Sequence, residues 1–128
     1  MYQQVPDDVN ELAHRVVDAA FAVHRELGPG FLESIYDRAL RLELEARGIA
    51  FECEKSVAVL YRGVAIPGQR LDFVVEERLV VEVKAVAAIE PIHVAQVLSY
   101  LKTTKLRLAL LINFHERMFA HGIRRVAL

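Results

Sequence analysis

The sequence predicts a mixed α/β layer fold in which helices cover a central sheet. Three observations lead there. Apolar residues recur at helical spacing through the first third of the chain. Between Phe51 and Lys84 the pattern changes to strand-like alternation broken by tight turns. A third helical stretch then separates that region from Leu106–Phe114, an apolar run of strand length. The 128 residues fit one domain, 1–128, and a hydrophobic content of 54% is enough for a real core.

Asp8-Val9-Asn10-Glu11 reads as a helix start, with Asp8 as the cap and Glu11 three residues on. Val9, Leu12, Val16, Ala20 and Leu27 continue at helical spacing until Gly28-Pro29-Gly30, which proline cannot extend. A second helix is expected from near Phe31 to about Arg47, with Leu32, Ile35, Ala39 and Leu40 as apolar positions and Gly48 as the stop. Phe51 to Tyr61 alternates through Val57, Val59 and Tyr61 and reads as a strand, followed by a turn at Arg62-Gly63. After Pro67-Gly68, two strands, Arg70–Val75 and Leu79–Lys84, flank the turn Glu76-Glu77-Arg78. Glu90-Pro91 opens a third helix to about Lys102, because proline suits the first helical position. Leu106–Phe114 is expected to be a strand buried on both faces, and a last short strand falls within Gly122–Ala127.

The formal net charge is -1, so nucleic-acid contact would need a local basic patch. Lys102, Lys105 and Arg107, with Arg124 and Arg125, are the basic clusters that could guide a phosphate backbone. The single cysteine, Cys53, excludes an intramolecular disulfide and reads as a small core residue in a reducing compartment. The acidic opening MYQQVPDDVNEL has no apolar run, and no stretch approaches the ~18–20 apolar residues of a membrane span. The expected address is therefore the cytoplasm, with no membrane partner. His14, His115 and His121 lack zinc-ligand spacing, and Gly28-Pro29-Gly30 is too short for a phosphate loop. His24 is expected to be buried and hydrogen-bonded, within reach of Glu33. Tyr36 is expected at the helix interface with its hydroxyl bonded.

The hairpin holds the chemistry. With a three-residue loop at Glu76-Glu77-Arg78, Val75 faces Leu79 and Asp72 faces Glu82. Alternation then puts Asp72, Val74, Val80, Glu82 and Lys84 on one face, and Leu71, Phe73, Val75, Leu79, Val81 and Val83 on the other. Directly opposed side chains lie ~4.5–5.5 Å apart at Cβ, where like charges destabilise. Two carboxylates so placed need a proton, a cation or water between them. Magnesium suits the position because it takes oxygen ligands and keeps several waters. Taken alone, the hairpin favours a simpler account, in which Asp72 and Glu82 are solvated charges on an outer face paired by Lys84. The next helix changes the balance, since Gln96 and Tyr100 stand i, i+4 on a face that His93 shares, opposite the apolar Val94, Val97, Leu98 and Leu101. That polar face can roof the acidic site.

Asp72, Glu82-Val83-Lys84, Gln96 and Tyr100, in that order, resemble the PD-(D/E)xK nuclease superfamily in the version with a QxxxY helix. Gly30-Phe31-Leu32-Glu33-Ser34-Ile35-Tyr36 is similar to the signature of the GxxExxY family within it, and Val23–Gly30, Val81–Val86, Ser99-Tyr100-Leu101 and Asn113-Phe114 agree. The resemblance implies a restriction-endonuclease-like αβββαβ core with a mixed sheet flanked by helices and an extra N-terminal helix. It implies that Asp72, Glu82 and the Val83 backbone carbonyl hold Mg2+ or Mn2+. Lys84 would act on the attacking water or the phosphate, Glu33 would be the extra acidic residue, and Gln96 and Tyr100 would contact substrate. The implied function is a metal-dependent nuclease acting on nucleic acid, with DNA preferred. The competing readings are a non-catalytic nucleic-acid- or protein-binding module on the same fold, and a small hydrolase of nucleotides. The small chain offers little surface to a long substrate, which favours a homodimer.

Overall fold

The computed structural model describes residues 4–128; residues 1–3, the first part of the acidic opening, lie outside the described residues. Helix α1 spans Asp7–Leu27 and buries Val9, Leu12, Val16 and Ala20 together with Ala13, Ala19 and Val23. Asp8 does not cap it. Pro6 occupies the cap position with no side-chain bond, and the Asp8 carboxylate instead pairs with Arg78 from a distant turn. Helix α2 spans Glu33–Ala46 and buries Tyr36, Leu40 and Leu44, one residue per turn. Leu32 and Ile35, expected to face inward, are exposed. The reason is the late start: Leu32 is the extended cap residue, and the i, i+4, i+8 stripe that begins at Tyr36 takes the core side.

Tyr36 fastens the two helices. Its hydroxyl donates to the Gly28 carbonyl at 2.5 Å and accepts from the Phe31 N–H at 3.1 Å. Its ring stacks on Phe114 with centroids 4.8 Å apart.

Five strands follow: β1 (Phe51–Tyr61), β2 (Val64–Val75), β3 (Leu79–Lys84), β4 (Leu108–Asn113) and β5 (Ile123–Ala127), hydrogen-bonded in that spatial order. All neighbours are antiparallel except β3 and β4, which run parallel. A parallel pair needs a crossover, and helix α3 (Pro91–Thr104) supplies it. The sheet therefore has two covered faces. Helices α1 and α2 bury Phe73, Val75, Leu79, Val81, Val83, Leu108, Leu110 and Ile112. On the other side α3 buries Val74, Val80, Ala109 and Leu111 beneath Val97, Tyr100 and Leu101. Every residue of β4 is buried, as a strand covered on both faces requires.

Two expectations about β2 are corrected. The strand does not begin after Pro67-Gly68 but runs through them from Val64. The register shifts there, with Val57 opposite Gln69 but Val59 opposite Ile66, so Pro67 and Gly68 together oppose Ala58. That is a β-bulge, a place where proline's missing N–H does no harm. Leu71, expected beside Phe73, instead packs with Val74 and Val80 in the cluster beneath α3. The alternation breaks between the two. Opposite this point Glu54 takes a left-handed backbone, φ 52°, so both strands turn over: Cys53 packs toward α1 and α2, and Val57 toward α3. Asp72 lies at the turnover.

Replacing Tyr36 by Phe keeps the stack on Phe114 but leaves the Gly28 carbonyl and Phe31 N–H without their partner. We expect Tyr36→Phe to lose about 1–3 kcal/mol of stability in a urea melt; an unchanged midpoint would show that the hydroxyl does not tie the helices.

Candidate active site

The site is built where β2 leaves β3. The β2–β3 ladder runs Val75 opposite Leu79, Val74 opposite Val80 and Phe73 opposite Val81. This is the register expected from a three-residue loop, and its continuation sets Asp72 beside Glu82. The Asp72 side chain now replaces backbone pairing, for its Oδ2 accepts the Val83 N–H at 2.9 Å. Glu82 is buried, at 4% exposure, so it is not a solvated charge on an outer face. Lys84 Nζ stands 3.5 Å from Glu82 Oε2 and donates to Gln96 Oε1 at 3.1 Å. Gln96 and Tyr100 both reach this place from α3, while His93 does not serve it. Its Nδ1 accepts the Glu90 N–H and closes the capping box of the helix.

Burial and like charge dominate the electrostatics. Burial pushes the Glu82 carboxyl up to about 8, with Asp72 adding to the rise and Lys84 opposing it. Burial also raises Asp72, offset in part by the Val83 N–H, and Glu33 raises it further. Tyr100 is pushed up to about 12, first by burial and then by Glu82 and Asp72. Its phenol is therefore a neutral donor near neutral pH. Glu33, at the first turn of α2, lines a cleft of about 350 Å³ with Asp72, Asp37 and Arg41.

Asp37 and Arg41 were not anticipated, although Glu33, Asp37 and Arg41 share one helical face at i, i+4 spacing. Arg41 Nε lies 2.7 Å from Asp37, and Glu54 draws both Arg41 and Arg70 toward it, at 3.7 and 2.7 Å. Asn113 was recognised only as part of a resemblance. It is fully buried, and its side-chain amide pairs with the backbone of Val86, accepting from the N–H at 3.1 Å and donating to the carbonyl at 2.9 Å.

One expectation fails here. His24 is buried, but its Nε2 bonds the Glu116 carbonyl at 2.7 Å rather than Glu33. The basic residues divide: Arg124 pairs with Leu111, the residue paired with Glu82, while Arg107 and Arg125 are tied elsewhere. Arg107 donates to the Gln4 carbonyl and Arg125 to Asn10. Arg107 also precedes Leu108, which pairs with Leu79 at the start of β3, five residues from the Lys84–Asn113 pair. At strand rise that is roughly 16 Å from Lys84.

Among the described residues no three His, Cys, Asp or Glu side chains gather into a ready metal cage. The donor set nevertheless fits a hard divalent cation. Glu82 Oε1 is buried and accepts no hydrogen bond, and a second carboxylate stands beside it. Magnesium needs only one or two carboxylates, with waters completing its shell.

A pH prediction follows from Glu82. Its folded-state value, about 8, lies above the ordinary 4.5, so folding favours the protonated form. That contribution is complete below about 4.5 and is lost as pH rises through about 8. Chemical denaturation of the metal-free protein should show stability falling across this window, and Glu82→Gln should flatten the fall. A wild type and a Glu82→Gln variant with parallel pH profiles would mean that Glu82 is already ionised in the folded protein.

No curated protein and no solved structure matches the chain. A family model for the PD-(D/E)XK nuclease superfamily matches residues 10–126, which span all five strands and the three helices apart from the first residues of α1 and the last of β5. The chain belongs to the PD-(D/E)XK nuclease superfamily.

Proposed function

We propose that this chain is a divalent-metal-dependent phosphodiesterase that cleaves nucleic acid, DNA in the first instance, and that within the superfamily it belongs to the GxxExxY group. The observation that carries the reading is the buried, unpartnered Oε1 of Glu82 beside Asp72, with Lys84 held between Glu82 and Gln96. Asp72 and Glu82 would hold Mg2+ or Mn2+. The Val83 carbonyl would join them, since a strand residue presents its N–H and C=O to the same neighbour and the Val83 N–H already meets Asp72. Bound there, the cation would polarise the scissile phosphate and acidify a water.

The remaining groups divide the work. Lys84 faces the same side as Glu82 and offers its ammonium to a phosphate oxygen or to the attacking water. Gln96 aims that ammonium through its 3.1 Å bond. Tyr100 keeps its proton and so donates to a phosphate oxygen. Glu33, exposed at the start of α2, is the extra carboxylate on the Asp72 side of the site. No helix is long and apolar enough to cross a membrane among the described residues.

Magnesium or manganese should raise the melting temperature of the wild type, because a ligand of the folded state alone stabilises it. Asp72→Asn should abolish that rise. Lys84→Ala should keep the rise but lose cleavage of DNA on the order of a hundredfold to a thousandfold. Gln96→Ala should lose less. A wild type with no metal-induced shift and no cleavage of single- or double-stranded DNA or RNA would leave a binding module, and equal cleavage by wild type and Lys84→Ala would remove Lys84 from the mechanism.

A further inference from the structure

A groove of about 550 Å³ adjoins the acidic site between α3 and the outer half of the β1–β2 hairpin. Gln96, Ser99 and Tyr100 form one wall, and Ile66, Gln69 and Arg70 belong to the other. Gln96 and Tyr100 thus serve both the groove and the carboxylates, so a chain whose phosphate sits at Lys84 leads directly into it. On the hairpin wall Val59, Ile66 and Pro67 form an apolar stretch, with Ile66 and Val59 exposed to solvent. Such a surface suits the face of a flat ring.

Gln69 gives the groove its polar specificity. Its Nε2 donates to Ser99 Oγ at 2.9 Å, and Ser99 Oγ donates to the Gln96 carbonyl at 2.5 Å. A hydroxyl has one proton, and this one is committed, so Ser99 can only accept from Gln69. That fixes the amide orientation and leaves Gln69 Oε1 as an acceptor. The oxygen is buried and has no partner. An acceptor left unmet out of water is costly, and an N–H donor in the groove would meet it. At the end of the hairpin Leu60, Tyr61 and Val64 are exposed, so their side chains do not close the groove over. At the rim, Arg70 is 60% exposed and held by Glu54 at 2.7 Å, where a phosphate can compete for it.

A ring with N–H donors, linked to phosphates, is a nucleobase. A base inside a duplex is stacked and paired and cannot enter. Resting on the nuclease reading above, we infer that this groove receives an unpaired nucleobase beside the scissile phosphate, with Gln69 Oε1 accepting from its edge, so that the substrate strand is single-stranded at the cut.

The test is fluorescence anisotropy of short labelled DNA and RNA in chelator, with Asp72→Asn as a non-cleaving background. Single strands should bind at least about tenfold tighter than the blunt duplex of the same sequence. Gln69→Leu should weaken single-strand binding about five- to tenfold. An abasic site, moved along the strand, should at one position cause a similar loss and cancel the effect of Gln69→Leu, as two changes at one contact do. Ile66→Ala, at an exposed position, should show the same position-specific coupling and serves if Gln69→Leu fails to fold. The inference is overturned if duplex binds as tightly as single strand, or if both variants weaken intact and abasic strands alike at every position. Metal-dependent cleavage by the wild type with a preference for duplex would keep the nuclease reading and discard this one.

Discussion

Two carboxylates held side by side out of water are the constraint around which this molecule is arranged. At ~5 Å and an effective dielectric near 20, two unit charges repel by about 3 kcal/mol, before the cost of desolvation is counted. The metal-free protein meets this with a proton, a lysine and a backbone N–H. Each is supplied by a different structural decision. β2 turns over at Asp72 and frees the Val83 N–H to meet its carboxylate. β3 carries Lys84 two residues beyond Glu82, on the same face. The crossover helix brings Gln96 down onto the ammonium. A fold without the turnover would pair Val83 with backbone and leave Asp72 with less to hold it.

The location of the site follows from the topology. Only β3 and β4 run parallel, and α3 joins them, so the end of β3 and the start of the crossover lie together. Both faces of these strands are covered by apolar packing, which is what removes Glu82 from solvent. The α1 and α2 side contributes the first turn of α2, with Glu33 and Asp37 facing the cleft at Asp72. The core and the site are therefore not separable parts: the same burial that stabilises β3 makes the Glu82 carboxyl reluctant to ionise.

Much of this was legible in the sequence. Glu82 and Lys84 alternate with Val81 and Val83, and the three residues Glu76-Glu77-Arg78 set a register that the structure shares. Glu90-Pro91 marks the start of α3 by local chemistry alone. The failures lie where partners are distant. Whether Pro67-Gly68 ends a strand or forms a bulge depends on Ala58 across the sheet. The turnover that moves Leu71 depends on the backbone of Glu54. His24 finds its acceptor 92 residues away. Asp8 had a local cap available and took a distant arginine instead. The basic clusters were read as charge, but the placement of Arg107 at the end of β4 away from Lys84 is a matter of topology that spacing does not record. Asp37 is different, for its i+4 relation to Glu33 was open to inspection and was missed.

The amide of Asn113 has a consequence for motion. Its two bonds to Val86 imitate one further backbone pairing, continuing the junction of β3 and β4 past the last residue of each. The segment from Ala85 to Glu90 is the short tether between Lys84 and the helix that bears Gln96. Without the clamp, that tether could open while the sheet stayed intact, and hydrogen exchange would report it as a local event well below the cost of global unfolding. The lysine and its glutamine would then drift apart in a protein that still looked fully folded by its melt. A buried amide on β4 thus sets how long the two halves of the site stay in register.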